Sequence, residues 1–398
     1  MPTYPTYKLS EVADILDSFR KPINSTERTK RIQGKTENEL YPYYGATGQV
    51  GLIDEYLTDG EYVLVGEDGA PFLEPFKNKS YIIRGKAGVN NHAHILSGKK
   101  DVLSNQYLNY FLNSFDYRNY VNGTTRLKLT QGNLTQIPIP LPPLPTQHAI
   151  VSRIETLFAE LDKAVQHLCT AQQQIKTYRQ AVLNHWLNND DGKWEMVNIS
   201  CFLDNSCKGM MTGPFGTALK KSEHKSCGIP VLGIENIGEG SFVMPNKIFV
   251  TEEKAKELKT FAVKTDDIII SRSGTVGEIC KVPFFMNDAL LSTNLIRIRL
   301  NLDLINADYF VLLFQSSQIK QQVKDLCKGT TRAFLNQTIL SQISFPYPPL
   351  SEQQRIVAEI ESRLSQAEAV EASIGKALQQ AEALRQSILK KAFNGELE

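Results

Sequence analysis

The chain has 398 residues, is 41% hydrophobic and 22% charged, and carries a formal net charge of +1. Such a chain has enough material for two or three cores, and its balance excludes compositional disorder and overall basicity, although a local basic patch can still be masked. No apolar run approaches the roughly 20 residues of a membrane span, and MPTYPTYKLS has neither the basic start nor the apolar core of a secretion signal, so a cytoplasmic protein with no membrane partner is expected.

Residues 1–145 alternate short apolar runs with turn formers. GATGQVG (45–51) is a glycine-rich turn, and EYVLVG (61–66) suits a strand. Lys77, Lys79, Arg84 and Lys86 form a cationic cluster that is either a solvated face or a contact for phosphates. His92 and His94 flank Ala93, but with no acidic or cysteine partners in sequence they suggest ordinary core or surface residues rather than a metal site. Tyr107, Leu108, Phe111 and Leu112 recur at helical spacing. In NGTTR (122–126), Thr124, Thr125 and Arg126, with Lys128 beyond, offer hydroxyls, backbone N–H groups and cations to a phosphate. The other reading is that this turn shapes the exit from the domain.

IPIPLPPLPT (137–146) is a stiff connector that forbids helix until it ends. A long helix then fills 146–190, with Thr146 as its cap. Ile154, Leu161, Leu168, Ile175 and Val182 fall seven apart, interleaved with Ile150, Leu157, Ala164, Ala171 and Tyr178. Residues 191–350 repeat the mixed pattern. Lys220, Lys221 and Lys225 lie in a polar stretch, DDIIIS (266–271) reads as a strand, and SRSGTVG (271–277) is a second glycine turn carrying Arg272, a candidate for either DNA or a salt bridge. In LIRIRL (295–300), Ile296, Ile298 and Leu300 face one way and Arg297 and Arg299 the other. Tyr309, Phe310, Leu313 and Phe314 mark a helix. KGTTR (328–332) brings Thr330, Thr331 and Arg332, and after FPYPPLS a second long helix fills 351–398, with Ser351 and Gln354 at capping-box spacing and Asn394-Gly395 as its stop. Its seam is read as Ile356, Ile360, Ala367, Val370, Ile374, Ala377, Ala381, Leu384 and Ile388, with Arg363 at the margin.

Gly123–Asn184 aligns without a gap on Gly329–Lys390, and weaker likeness extends upstream: SNQYLNYFLNS with NADYFVLLFQS, DGEYVLVGEDGA with TDDIIISRSGTV, and YKLSEV with WEMVNI. Internal repetition precedes any other decision on the fold. The expected class is α+β: two similar mixed domains separated by two long helices, each about 60 Å at 1.5 Å per residue. Connectivity makes the helices an antiparallel coiled coil and the whole pseudo-two-fold.

Catalytic signatures are missing from the sequence. There is no phosphate loop, no dinucleotide fingerprint, no GxSxG or HExxH, and no Asn/Asp-Pro-Pro-aromatic motif of an amino-methyltransferase. The six cysteines form no CxxC pair and are expected to be reduced, mostly buried thiols. Two similar domains on a pseudo-two-fold suit the half-sites of duplex DNA.

The chain resembles the specificity subunit of type I restriction-modification enzymes. The likeness rests on the duplicated GTTR…Q-I…PPL-x-x-Q-x-x-I-V-x-x-I-E passage, on QRIVAEIE (354–361), and on the two glycine turns. It implies two target recognition domains, each reading half of a bipartite double-stranded DNA target, with the gap set by the helices. It also implies a noncatalytic chain with no cofactor of its own. Two modification (methyltransferase) subunits would supply S-adenosylmethionine chemistry, and restriction (translocase and nuclease) subunits would supply ATP- and magnesium-dependent steps. The competing reading is a two-headed protein–protein adaptor.

Overall fold

The computed structural model describes residues 4–189, 192–215, 218–327 and 334–397. It divides into two compact units, Met1–Thr170 with Ile374–Glu398, and Ala171–Ser373. In chain order the elements are β1 (Thr6–Lys8), α1 (Leu9–Val12), β2 (Ala13–Ile15), α2 (Ser25–Ile32), β3 (Tyr41–Gly45), β4 (Gly48–Ile53), β5 (Thr58–Gly66), β6 (Ser80–Val89), β7 (Ala93–Gly98), α3 (Asn105–Ser114), α4 (Gln131–Thr135), β8 (Pro138–Pro140) and α5 (Leu144–Leu187). Then follow β9 (Glu195–Asn198), β10 (Met210–Thr212), β11 (Ile229–Leu232), β12 (Ile248–Val250), α6 (Glu252–Glu257), β13 (Ile268–Ser271), β14 (Ile279–Lys281), β15 (Leu290–Leu291), β16 (Leu295–Ile298), α7 (Ala307–Gln315), α8 (Ser317–Leu326), α9 (Gln337–Gln342), β17 (Ser344–Tyr347) and α10 (Leu350–Phe393).

The first unit is built on a six-stranded sheet, β2-β7-β5-β6-β3-β4, antiparallel except where β3 meets β6. Its central strand explains the unbroken EYVLVG run. Val63 and Val65 enter the core with Leu96, Leu108 and Leu112, while Leu64 packs on the other face with Ile83 and Ile95. A strand covered on both faces loses its polar alternation. The second unit has a four-stranded sheet, β10-β16-β13-β14, and a smaller β12-β11-β15 sheet. Ile268 and Ile270 pack against Phe310, Leu313 and Phe314 of α7, and Ile269 turns to Val282 and Leu291. Ile296, Ile298 and Leu300 do share one core. The opposite face is closed too: Arg297 is buried and donates to the Ala262 and Lys208 carbonyls at 2.7 and 3.1 Å, and Arg299 forks onto Asp267 at 2.6 Å.

The proline connectors are strands rather than free rods. β8 pairs with β1 (Tyr7 opposite Ile139) and β17 with β9 (Phe345 opposite Val197), so the YKL/WEMV likeness is that of the strand each connector meets. Proline lacks a donor, and a two-stranded edge tolerates this. The expected caps Thr146 and Ser351 lie inside their helices; the first helical bonds go to the Pro143 and Pro349 carbonyls. The start of each helix is held by a buried glutamine. Gln147 Nε2 donates to Val102 and Pro142 carbonyls at 2.8 and 2.9 Å, and its Oε1 accepts from Ser104 N at 2.9 Å. Gln353 does the same with Leu304, Pro348 and Asn306.

α5 and α10 run antiparallel: in the first unit the early turns of α5 meet the late turns of α10, with Ile154 against Ile388 and Leu389. In the second, Val182, Leu183 and Leu187 share a core with Ile356, Val357 and Ile360. Leu161 and Ile374 are also buried, and Leu168 and Ile175 half-buried. The interleaved row follows the sequence reading where Ile150 and Leu157 pack in the first unit and Ile356 is buried in the second, and departs from it elsewhere. Tyr178, Val370 and Leu384 are 44%, 52% and 50% exposed. Their successors Arg179, Glu371 and Arg385 are turned inward: Arg179 pairs with Glu371 at 3.0 Å, and Arg385 pairs with Asp162 and lies 4.4 Å from the Phe158 ring. Charged residues in the seam disguise it, because the apolar neighbour one position earlier completes a plausible heptad. Helix α10 stops at Phe393, and Gly395 at φ 72° closes it as expected.

The cysteine expectation is also corrected. Cys280 and Cys327 are buried, but Cys169, Cys201, Cys207 and Cys227 are exposed, all outside the packed faces of strands.

Candidate nucleic-acid interface

The GTTR turn of the first unit is zipped on both sides. Asn122 and Lys128 exchange backbone bonds at 2.9 and 2.8 Å, and on the other side Gly69 N donates to Leu127 O and Leu129 N to Glu67 O. Gly123 holds φ 102°, and a Cβ there would lie 2.5 Å from the Arg126 carbonyl oxygen, so glycine is required. Thr124, Thr125 and Arg126 are exposed. With Thr47 of the GATG turn, Gly69–Glu74 and Lys77, the turn lines a cleft of about 410 Å³.

Beneath the turn lies an ion cluster. Arg126 pairs with Asp68 and Lys128 with Glu67, both at 3.0 Å; Glu67 also meets Arg20, and Arg20 meets Asp17 at 3.0 Å. The two histidines belong here. His92 Nδ1 is 2.6 Å from Asp68; the buried His94 has Nδ1 2.6 Å from Asp17 and Nε2 2.9 Å from the Leu129 carbonyl, which can only accept. No group able to hold a metal ion occurs among the described residues. Burial pushes the Asp17 carboxyl up, but its hydrogen bond and charge interaction with His94 outweigh that and hold it below its ordinary value. Glu67 is likewise lowered: burial opposes ionisation, and Arg20 and Lys128 override it.

The neighbouring cations divide. Lys77 and Arg84 are exposed and paired with Glu74 and Glu61 at 2.7 and 2.9 Å. Lys86 is exposed, 4.7 Å from the Tyr56 ring centroid, and the Tyr56 hydroxyl holds its ammonium above the usual lysine value. Lys79 does not join them. It is 4% exposed, its ammonium donating to the Pro75 carbonyl, because its backbone is pinned to the buried Asn113 and its stem is drawn under the loop.

In the second unit, Lys220, Lys221 and Lys225 are exposed around a short turn. Thr330, Thr331 and Arg332 lie outside the described residues. Arg272 departs from both alternatives expected of it: it is 6% exposed and lies between the Phe215 and Phe334 rings, 4.8 and 4.3 Å from their centroids. Its Nη1 donates to Thr293 O at 3.3 Å, and burial alone lowers its pKa. Leu335 N donates to Arg272 O at 2.9 Å just as Leu129 N does to Glu67 O at 2.7 Å, and the amides of Arg272 and Glu67 donate to Asn294 and His92. Glu67 and Arg272 therefore occupy equivalent places, one residue away from the sequence alignment, with Lys128 and Phe334 as equivalent companions. An acid ringed by cations in one unit is replaced by a cation clasped by aromatic rings in the other. Phe215 and Phe334 carry no sequence signal for this role; only the fold brings them to Arg272.

The model of the type I restriction modification DNA specificity domain matches the chain twice, over residues 2–168 and 214–380. The chain is 29% identical, over 89% of its length and 86% of the relative, to a Haemophilus influenzae protein named as a type I restriction enzyme specificity subunit. It is 28% identical to the type I restriction enzyme EcoKI specificity subunit of Escherichia coli, over 73% of this chain and 65% of that one. A solved structure described under the assembly and conformational transition of the type I R-M system aligns with TM-score 0.74 at 17% identity, covering 100% of this chain and 99% of that one. The HsdS subunit from Thermoanaerobacter tengcongensis aligns with TM-score 0.52 at 17% identity, covering 100% and 98%. At such identity these structures speak for the fold alone.

Proposed function

The chain belongs to the type I restriction modification DNA specificity family, and from that membership we propose that it is the DNA-recognition subunit of a type I restriction-modification complex. Each unit reads one half of a bipartite target, and the paired helices set the gap. The observation that carries this is the duplicated frame holding unlike surfaces: the same backbone bonds present Glu67 with its cations in one unit and Arg272 with its rings in the other. A shared frame suits a shared task, and unlike faces suit unlike half-sites. Thr124, Thr125, Arg126, Lys77, Arg84 and Lys86, and Lys220, Lys221 and Lys225, are the proposed backbone contacts.

The chain acts without catalysis of its own, in the cytoplasm. Two modification subunits bring S-adenosylmethionine and methylate adenine, and restriction subunits bring ATP and magnesium. Tyr178 and Val370 in one unit and Leu384 in the other leave apolar side chains exposed on the helix pair, where modification subunits dock. No helix among the described residues is long and apolar enough to cross a membrane.

Adenine-methylation mapping of DNA from cells expressing the chain with its modification subunit tests this. A two-part motif with a fixed gap is expected, and replacing residues 1–145 with those of another family member should change one half only. A motif in which both halves change refutes the modular reading. An assembled complex with no preference over random duplex returns the case to a protein adaptor, which family membership disfavours.

A further inference from the structure

Phe215 is 59% exposed, yet its position is tightly determined. Gly213 N donates to Leu295 O at 3.1 Å, and a Cβ on Gly213 would lie 2.0 Å from the Ser292 carbonyl oxygen, so the loop sits directly against the main chain beneath it. Thr293 Oγ1 donates to Pro214 O at 2.8 Å, and the Thr293 carbonyl receives Arg272. The Arg272 guanidinium then underlies the Phe215 ring. An exposed ring fixed by its neighbours loses little freedom on binding, the property of an interface anchor.

Arg272 bears an unbalanced load. Among the described residues its buried Nε has no partner and no carboxylate pairs with its guanidinium, whereas the equivalent Glu67 is met by Arg20 and Lys128. A desolvated, unpaired cation opposes folding, and an apolar residue at this place would remove that cost. Such groups gather at binding sites. At 6% exposure Arg272 cannot itself reach a ligand; what it reaches is Phe215. The ring thus rests on one cation, and the exposed Lys220 and Lys221 follow in the same polar stretch of chain; an exposed aromatic ring and free cations are the groups that suit nucleic acid.

We propose that Phe215 makes an apolar contact with a base in the half-site read by the second unit, and that Arg272 is its positioning residue. A phenyl ring offers nothing to phosphate. The apolar base surfaces open to it are a thymine methyl group and the face of an opened base step. This rests on the DNA-recognition reading above.

The test uses the assembled complex and the duplex that methylation mapping defines. Phe215→Ala should weaken binding to that duplex about tenfold, leave a duplex with a scrambled second half almost unaffected, and leave the melting temperature unchanged. Arg272→Met should show a similar loss, and Arg272→Lys should recover part of it by restoring the cation under the ring. Uracil in place of each thymine of that half separates the two surfaces. A loss of about fourfold, the value of one buried methyl group, that disappears in Phe215→Ala identifies the methyl contact; no loss identifies the opened step. Wild-type affinity in Phe215→Ala, or equal loss on both duplexes, overturns the proposal. A wild-type complex that prefers no two-part duplex overturns the DNA reading instead.

Discussion

Replacing Gln147 by leucine removes the clamp at the start of α5 while nearly conserving side-chain volume. Gln147 is fully buried, and its amide serves three main-chain groups: Ser104 N–H, Val102 C=O and Pro142 C=O. A buried polar group left without a partner costs about 1–3 kcal/mol. At the low end of that range, the three together cost about 3 kcal/mol. For a unit of this size, with about 2–4 °C of melting temperature per kcal/mol, the first transition should fall by about 6–12 °C. Thermal unfolding followed by circular dichroism reads the shift, and amide exchange at Ser104 reads its cause. Gln353→Leu should act alike in the second unit through Asn306, Leu304 and Pro348, and the two losses should add, since they share no partner. A loss below about 1 kcal/mol, with the Ser104 amide still protected, would show that water or a shifted backbone replaces the clamp and would refute the reasoning.

Gly123→Ala should destabilise the first unit by about 1–3 kcal/mol and weaken DNA binding, because the turn must open to clear the Arg126 carbonyl; chemical denaturation with the Arg126–Asp68 pair monitored by NMR checks this. Tyr178→Lys and Leu384→Lys should each change stability by no more than about 0.5 kcal/mol yet reduce capture of the modification subunit, whereas Ile374→Ala, in the buried row, should cost about 2–4 kcal/mol; the contrast is measured by unfolding and pull-down. The pH dependence has a definite sign. Asp17 and Glu67 titrate lower in the folded chain, so their stabilisation is present above the unfolded carboxyl value of about 4 and is lost as the pH falls below it. Urea midpoints between pH 7 and 3 should drop in that window, less so in Glu67→Gln. Thiol reagents should label Cys169, Cys201, Cys207 and Cys227 quickly and Cys280 slowly, since burial pushes its thiol up to about 12; mass spectrometry counts the adducts.

Much of the architecture was legible in the chain because repetition and periodicity are local signals. EYVLVG and DDIIIS announce strands, the Tyr107 and Tyr309 segments announce helices, and the gapless repeat announces the paired long helices. Legibility ended where the physics is tertiary. Gln147 and Gln353 showed only as a shared identity, since nothing near them in sequence names Ser104 or Asn306 as partners. Part of the second seam row is displaced by one, at Tyr178, Val370 and Leu384, because Arg179, Glu371 and Arg385 hide an inward position behind their charge. Lys79 and Arg272 looked like exposed cations, as lone charges in polar stretches do, but one is drawn under a loop and the other between rings contributed from distant segments. The first GTTR is legible as a candidate, whereas its acid partners, Glu67 and Asp68, lie far upstream and only the fold brings them under the turn.

The place held by Glu67 in one unit and Arg272 in the other has a historical consequence. Its moorings are amides and carbonyls, which every amino acid here supplies alike, so heredity was free to reverse the charge without disturbing the bonds that tie the strand end to the segment before α4 or α9. After duplication, the two copies had no need to drift apart through unstable intermediates; a residue and its companion, Glu67 with Lys128 or Arg272 with Phe334, suffice to give each copy a different outer character while the stitching stays common property.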